Sequence, residues 1–337
     1  MKVLGIESSC DECSVAVVEN GEKILSNVIA TQLDIHRPYD GVVPEIASRT
    51  HTEWIWPVVN SAIDEAGISK EDIDGIAVTN RPGLVGSLLV GLSFAKGLSY
   101  ALDRPFAAVD HIRAHLYAAH LEYKIDYPYL GLIVSGGHTI ISRVDDFDTI
   151  KVLGTTIDDA CGEAFDKVAK HYGFGFPGGL AIDKLARKGD STVFDFPDPS
   201  LHKGEHQYDV SYSGLKTAVI NQLEQFKSKE TDHRPEDIAA SFEKTAVELL
   251  LRRVSKALID EGLTRLVAGG GVAANTYFRK LVGSFDDVDT FFPSLRLCTD
   301  NGAMIAGLGY HYLKRGASSD RRTNAFSRVD GFRRTYP

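Results

Sequence analysis

A pattern that occurs once in each half of the chain limits the fold more than any other feature. Residues 3–6 read as an apolar strand, Glu7-Ser8-Ser9-Cys10-Asp11-Glu12 as a polar turn, and residues 14–18 as a returning strand. Asn20-Gly21 then marks a hairpin turn into residues 23–30. The second half repeats the opening: residues 129–134 form a strand, Ser135-Gly136-Gly137 a turn, and residues 139–144 the return. A strand, glycine turn and helix follows later in each half. In the first half this is residues 73–79, Arg81-Pro82-Gly83-Leu84-Val85-Gly86 and a small-residue helix over 87–101; in the second it is residues 263–268, Gly269-Gly270-Gly271 and a helix from Ala274. Residues 44–66 carry Ile55, Val58, Val59, Ala62 and Ile63 at helical spacing, and residues 106–109 form a strand before a helix near His111. The expected fold is α/β, with two similar domains facing each other across a central cleft.

Length agrees: at roughly 150 residues per domain, 337 residues predict two domains. They are placed at 1–110, completed by 300–337, and at 111–299. No apolar run approaches the roughly 18 residues that span a bilayer, so no membrane is expected. The N-terminus enters a strand at once, without room for a signal or transit peptide. Four cysteines in a chain this long argue for a reducing compartment, read as the cytoplasm. The formal charge of −9 does not suit an autonomous nucleic-acid binder. Residues 314–337 run the other way, with seven Lys/Arg (Lys314, Arg315, Arg321, Arg322, Arg328, Arg333, Arg334) against Asp320 and Asp330. Such a run is a solvated tail or a local phosphate contact. Residues 195–204, acidic and rich in Gly and Pro, read as a surface insertion.

His111 and His115 stand at i and i+4, so on a helix they share a face and can bind one cation once a third ligand arrives. A zinc peptidase would have a glutamate directly after the first histidine; Ile112 stands there. Ser135-Gly136-Gly137-His138-Thr139 and Gly269-Gly270-Gly271 are turns whose backbone N–H groups can approach an anion, and together they point to a nucleotide. Neither is a P-loop or GxGxxG. Residues 158–167 start a helix with a dense acidic turn; Asp166 lies too far along it to serve the helix dipole and is a candidate ribose acceptor. Phe176-Pro177-Gly178-Gly179 is a rigid turn before a helix that carries Asp183. Cys10 and Cys13 form a CxxC, but flanking acids deny them an electropositive setting, and they read as incidental. Asp11 and Glu12 in the same turn are of more interest.

With these segments in place, the chain closely resembles the bacterial branch of the universal tRNA threonylcarbamoyladenosine synthase family, formerly described as O-sialoglycoprotein endopeptidases. The resemblance rests on GIESSCDECSVAVV, GGVVPEIASRTH, RPGLVGSLLVGLSFAKGLS, LIVSGGHT, TIDDACGEAFDKVAK, FPGGLAIDKLA, YSGLKTA, GGGVAAN and CTDNGAMIA, in that order along nearly the whole chain. It implies two duplicated actin/Hsp70/sugar-kinase-like (RNase H-like) domains. It makes His111, His115 and Asp300 the ligands of one divalent metal per chain, Fe2+ or Zn2+. It assigns substrate binding to Ile133, Val134, Ser135, Gly136, Gly137, Asp166, Gly179, Asp183 and Asn275. Where the family commonly has Ser and Thr, this chain has Ala274 and Cys13; where archaeal relatives place a further tyrosine ligand, it has Ile133.

The activity the resemblance implies is acyl transfer from threonylcarbamoyl-AMP to N6 of adenosine 37 in tRNAs reading ANN codons. Asp11 or Glu12 is the candidate base for the amine proton. Expected partners are tRNA, a paralogous TsaB-like subunit, a small TsaE-like ATPase, and the threonylcarbamoyl-AMP synthase that supplies the substrate. Two readings of other classes stand beside it. One is a sugar kinase or ATPase of the same superfold, which has no use for the two histidines and Asp300. The other is a catalytically silent scaffold subunit, which would have lost them.

Overall fold

The computed structural model describes residues 1–197, 206–227 and 234–329. It divides into two compact units, one of residues 1–125 with 293–329, the other of residues 126–292.

The first unit opens with β1 (Lys2–Glu7), β2 (Glu12–Glu19) and β3 (Lys23–Thr31), a meander whose second hairpin turns through Asn20 and Gly21 at φ 56° and 79°. Those left-handed angles suit Asn and Gly, and they match the twist of the flanking strands. The short α1 (Leu33–His36) and the long α2 (Pro44–Glu65) follow, then β4 (Gly75–Arg81), α3 (Val85–Leu102), β5 (Phe106–Asp110) and α4 (His111–Tyr117). Strand order is β3-β2-β1-β4-β5, antiparallel through the meander and parallel from β1 to β5.

The second unit repeats that order. β6 (Tyr129–Val134), β7 (Thr139–Asp146) and β8 (Thr149–Thr155) form the meander. Next come α5 (Cys161–Tyr172), α6 (Gly178–Ala186), α7 (Ser213–Lys227), α8 (Pro235–Glu261), β9 (Arg265–Gly269), α9 (Thr276–Val282) and β10 (Asp289–Phe291). The sheet runs β10-β9-β6-β7-β8, with β9 parallel to both neighbours. The chain then returns to the first unit as α10 (Leu295–Cys298) and α11 (Gly302–Lys314).

α11 docks on the first sheet with almost no space between backbones. A Cβ on Gly302 would lie 2.6 Å from Ala16 N and 2.8 Å from Gly5 O; one on Gly5 would lie 2.3 Å from Gly302 O. Ser14 Oγ accepts the Gly302 N–H at 2.9 Å, and Asn301 caps the helix by accepting the Met304 N–H at 3.0 Å. Two glycines and two polar anchors therefore set where this helix begins.

Several expectations need correction. The domain boundary does not fall at 110: α4 and the turn after it pack on α11, so His111 and His115 belong to the first unit. β8 was not foreseen, nor the short 3-10 turn Gly271–Ala274 that delays α9 to Thr276. An apolar run of spanning length does exist, since α3 is 18 residues and, by length and composition alone, apolar enough to cross a membrane. Interspersed Gly, Ser and Ala hide it from a reading by bulky residues. Its face of Leu88, Gly91, Leu92 and Ala95 is buried, against α2 and β4. The 195–204 insertion is not all surface, for Phe196 is buried and stacks on Phe194 with ring centroids 5.8 Å apart; residues 198–204 lie outside the described residues.

The basic segment is tied down as far as it is described. Ser319 N–H donates to Phe106 O, Phe326 N–H to Asn80 O and Lys96 Nζ to Thr323 O, and the Arg321 guanidinium lies 4.8 Å over the Tyr100 ring. Asp330, Arg333 and Arg334 lie outside the described residues.

Candidate active site

Asp110 ends β5 and turns the chain into α4, its Oδ1 accepting the N–H groups of Ile112 and Arg113 at 3.0 and 3.2 Å. That N-cap places His111 on the first helical residue and His115 one turn on, with ring centroids 4.5 Å apart and planes at 85°. Asp300, just ahead of Asn301 and α11, meets them: its Oδ1 lies 3.1 Å from His115 Nε2 and 3.6 Å from His111 Nε2. One ligand atom from each of the three falls within 4.8 Å of the others. Two imidazoles and a carboxylate at this spacing are a donor set for a divalent transition metal.

The structure also shows what orients the first histidine. Glu7, fully buried at the end of β1, sits with Oε2 3.0 Å from His111 Nδ1, and accepts hydrogen bonds from Thr79 Oγ1 and Ser9 N, each at 2.6 Å. With Nδ1 donating to that carboxylate, loss of the other ring proton leaves the Nε2 lone pair facing His115 and Asp300. Burial would raise the Glu7 pKa, but the His111 charge and hydrogen bond win and hold it low. Burial likewise opposes charge on His111, while Asp300 and then Glu7 outweigh it and lift its pKa to about 9. The residues present fit a metal. Glu7→Gln is expected to weaken metal affinity by about 10- to 100-fold without unfolding the chain, as loss of a histidine-orienting carboxylate does. Competition with a chromophoric chelator measures this, and an unchanged constant would remove Glu7 from the site.

Asp11 ends the β1–β2 turn of the same unit, and Glu12 opens β2. His51 Nε2 sits 2.9 Å from Cys10 O, and Leu84 N–H donates to Ser9 O at 2.7 Å, so α2 and the β4–α3 turn both fasten this loop. Burial, then the carboxylates of Asp11 and Asp300, push the Glu12 pKa well up. Glu12 thus holds its proton more tightly than an ordinary carboxyl. The thiols do not resemble a redox pair: burial pushes Cys13 to about 12 and carries Cys10 well up. Cys161, also raised to about 12, belongs to the other unit.

In the second unit, Ile133 and Val134 are fully buried in β6, so only their backbone can meet a ligand. Ser135, Gly136 and Gly137 follow as an open turn: Ser135 N–H donates to His138 O, and the turn rests on the start of α5, where a Cβ on Gly162 would lie 2.7 Å from Ser135 O. The second glycine turn reaches the same strand end, as a Cβ on Gly270 (φ 92°) would lie 2.5 Å from Val134 O. Asp166 accepts the Gly178 N–H at 2.7 Å, which fixes the start of α6 and Gly179 beside it. Asp183 is buried and accepts the Thr276 N–H at 3.1 Å, so it meets the residue next to Asn275. Asp158 and Asp159 precede α5 rather than forming its first turn. Asp158 accepts the N–H groups of Tyr212 and Ser213 at the start of α7, and Asp159 bridges Lys167 and Lys216.

Sequence reading missed two buried carboxylates, Glu7 and Glu243. The signals were there: Glu7 ends a strand that is otherwise apolar, and Glu243 shares a helix face with Ala239, Ala246 and Leu250.

The family model for tRNA N6-adenosine threonylcarbamoyltransferase matches residues 23–307. The chain belongs to that family. It is 62% identical over 332 residues to the tRNA N6-adenosine threonylcarbamoyltransferase of Treponema denticola, covering 98% of each chain. It is 52% identical over 337 residues to that of Borreliella burgdorferi, covering 100% of this chain and 96% of the relative. Two solved structures are more distant and bear on the fold alone. Component A of (R)-2-hydroxyglutaryl-CoA dehydratase from Acidaminococcus fermentans superposes with a TM-score of 0.58 at 16% identity, over 94% of this chain and all of the other. Full-length HypF superposes at 0.63 and 14% identity, over 94% of this chain and 56% of the other. The chain therefore has the α/β fold of the actin/Hsp70-like proteins.

Proposed function

We propose that the chain transfers a threonylcarbamoyl group from threonylcarbamoyl-AMP to N6 of adenosine 37 in tRNAs reading ANN codons. Membership of the family carries the reading, and the cluster of buried His111 and His115 with half-buried Asp300 supports a metal-assisted reaction. The substrate is a mixed anhydride. N6 forms a bond to the carbamoyl carbon, the bond from that carbon to phosphate oxygen breaks, AMP leaves, and N6 gives up one proton. The adenine amine is a weak nucleophile because its lone pair is delocalised into the ring, so the protein's share is positioning and stabilisation of charge on oxygen.

The backbone at Ile133, Val134, Ser135, Gly136 and Gly137 would hold the phosphate. The neighbouring start of α5 adds its positive end to that turn. Asp166, Gly179, Asp183 and Asn275 would hold the adenosine. His111, His115 and Asp300 would bind Fe2+ or Zn2+, which when bound supplies a fixed positive charge for anionic groups of the substrate. Asp11 or Glu12 would take the amine proton. If both Asp11→Asn and Glu12→Gln keep full single-turnover rates, neither residue is the base; a drop of about 100-fold or more in one names it.

The partners in this reading are tRNA, a paralogous TsaB-like subunit, a TsaE-like ATPase and the synthase that makes threonylcarbamoyl-AMP, all in the cytoplasm. The acidic chain favours help in gripping tRNA. The test is incorporation of radiolabelled threonine, from bicarbonate, ATP and threonine, into unmodified ANN-decoding tRNA with those components present. Label on adenosine 37 is the expected result. Its absence with proven components would bring the kinase reading forward.

A further inference from the structure

Asn275 joins two helices. Its Oδ1 caps α9 by accepting the Phe278 N–H at 2.8 Å, and its Nδ2 donates to Glu243 Oε1 on α8 at 2.6 Å. Glu243 is 4% exposed and Asn275 8%. These two bonds exclude the flipped amide, since an amide nitrogen cannot accept from Phe278 and an amide oxygen cannot donate to a carboxylate. One N–H and one oxygen lone pair are left for anything else, in directions the two helices dictate. A carboxylate is otherwise out of place on the Ala239, Ala246 and Leu250 face of α8.

We propose that Glu243 is a positioning residue of the substrate site, aiming the Asn275 amide at the adenosine part of the substrate. This rests on the reading above that Asn275 binds adenosine. Glu243 acts through Asn275 and takes no part in the chemistry. Its surroundings make the effect sensitive to pH: burial raises its pKa to about 7 against the pull of the Asn275 hydrogen bond, with Asp183 raising it further and Arg187 lowering it. Tyr277, on α9, also feels the Glu243 charge, which raises its pKa. The anion accepts a charge-assisted bond from the amide, and protonation weakens it.

The experiment is calorimetric titration of the full chain with adenosine, which carries no charge between pH 6 and 8, in wild type, Glu243→Gln, Glu243→Leu and Asn275→Ala. Circular dichroism on each variant establishes folding. Glu243→Gln keeps an acceptor in place and is expected to bind within about threefold of wild type, while Glu243→Leu loses about tenfold, as when a supporting partner is removed. Wild-type affinity should fall from pH 8 to pH 6 and that of Glu243→Gln should stay flat. Asn275→Ala separates the two ideas. If it weakens binding and Glu243→Leu does not, or if Glu243→Gln keeps the wild-type pH profile, the positioning role is wrong and the site stands. If neither Asn275→Ala nor Glu243→Leu changes binding, the adenosine site is elsewhere and the positioning role falls with it.

Discussion

His111→Ala should abolish stoichiometric metal binding and lower threonylcarbamoyl transfer by about a thousandfold, the size expected when several kcal/mol of charge stabilisation is lost. The variant removes one of two imidazoles and leaves Glu7 with a buried carboxylate facing a void. Asp300→Asn should have the same effect, because an amide keeps the shape and loses the charge. His120→Ala is the control: its imidazole stacks on Tyr117 with centroids 5.2 Å apart, outside the cluster. Elemental analysis of the purified proteins and the labelled-threonine assay read both quantities. Metal retained at one per chain in His111→Ala, with turnover intact, would dissolve the assigned centre.

Gly302→Val is the second large effect expected, and it works through the fold. The new Cβ would meet backbone atoms of Ala16, Gly5 and Val15, none of which can rotate aside. Overpacking against backbone costs about 1–3 kcal/mol and at times more, and the loss here should sit at or above the top of that range. Because Asp300 stands two residues ahead of Gly302, displacement of α11 should also weaken metal binding. Denaturant titration with and without added metal separates the two consequences. Wild-type stability in both conditions would show that α11 does not depend on this close approach.

Much of the architecture was legible because it is carried by local signals. The polar turn in GIESSC, Asn20-Gly21 and the alternation of strands with glycine turns and helices specify a meander followed by parallel strands, twice. What escaped depends on contacts distant in sequence. The boundary falls later than residue 110 because the packing of α4 on α11 keeps that helix with the first unit, a contact no local signal marks. β8 escaped because Asp145, Asp146 and Asp148 break the apolar pattern just before it, and its outer half is exposed. In the candidate site, the spacing of His111 and His115 suits a cation, but no local pattern brings Asp300 to them. The family resemblance named it, and the close docking of α11 explains how it arrives. Glu7 and Glu243 were overlooked because a single buried acid leaves no periodic trace; it shows only as an interruption of an apolar face.

The order of the chain has a consequence for how the protein is made. Residues 126–292 lie between α4 and α11, so a nascent chain presents His111 and His115 long before Asp300 leaves the ribosome. At about 5–20 residues per second, the inserted unit can fold during that interval, while the first sheet still lacks the helix that covers its β1–β2 backbone. The candidate cation site, which needs Asp300, can form only when translation is nearly complete. A released chain ending at residue 292 should carry a folded second unit and an open first sheet, with two histidines that lack Asp300 beside them.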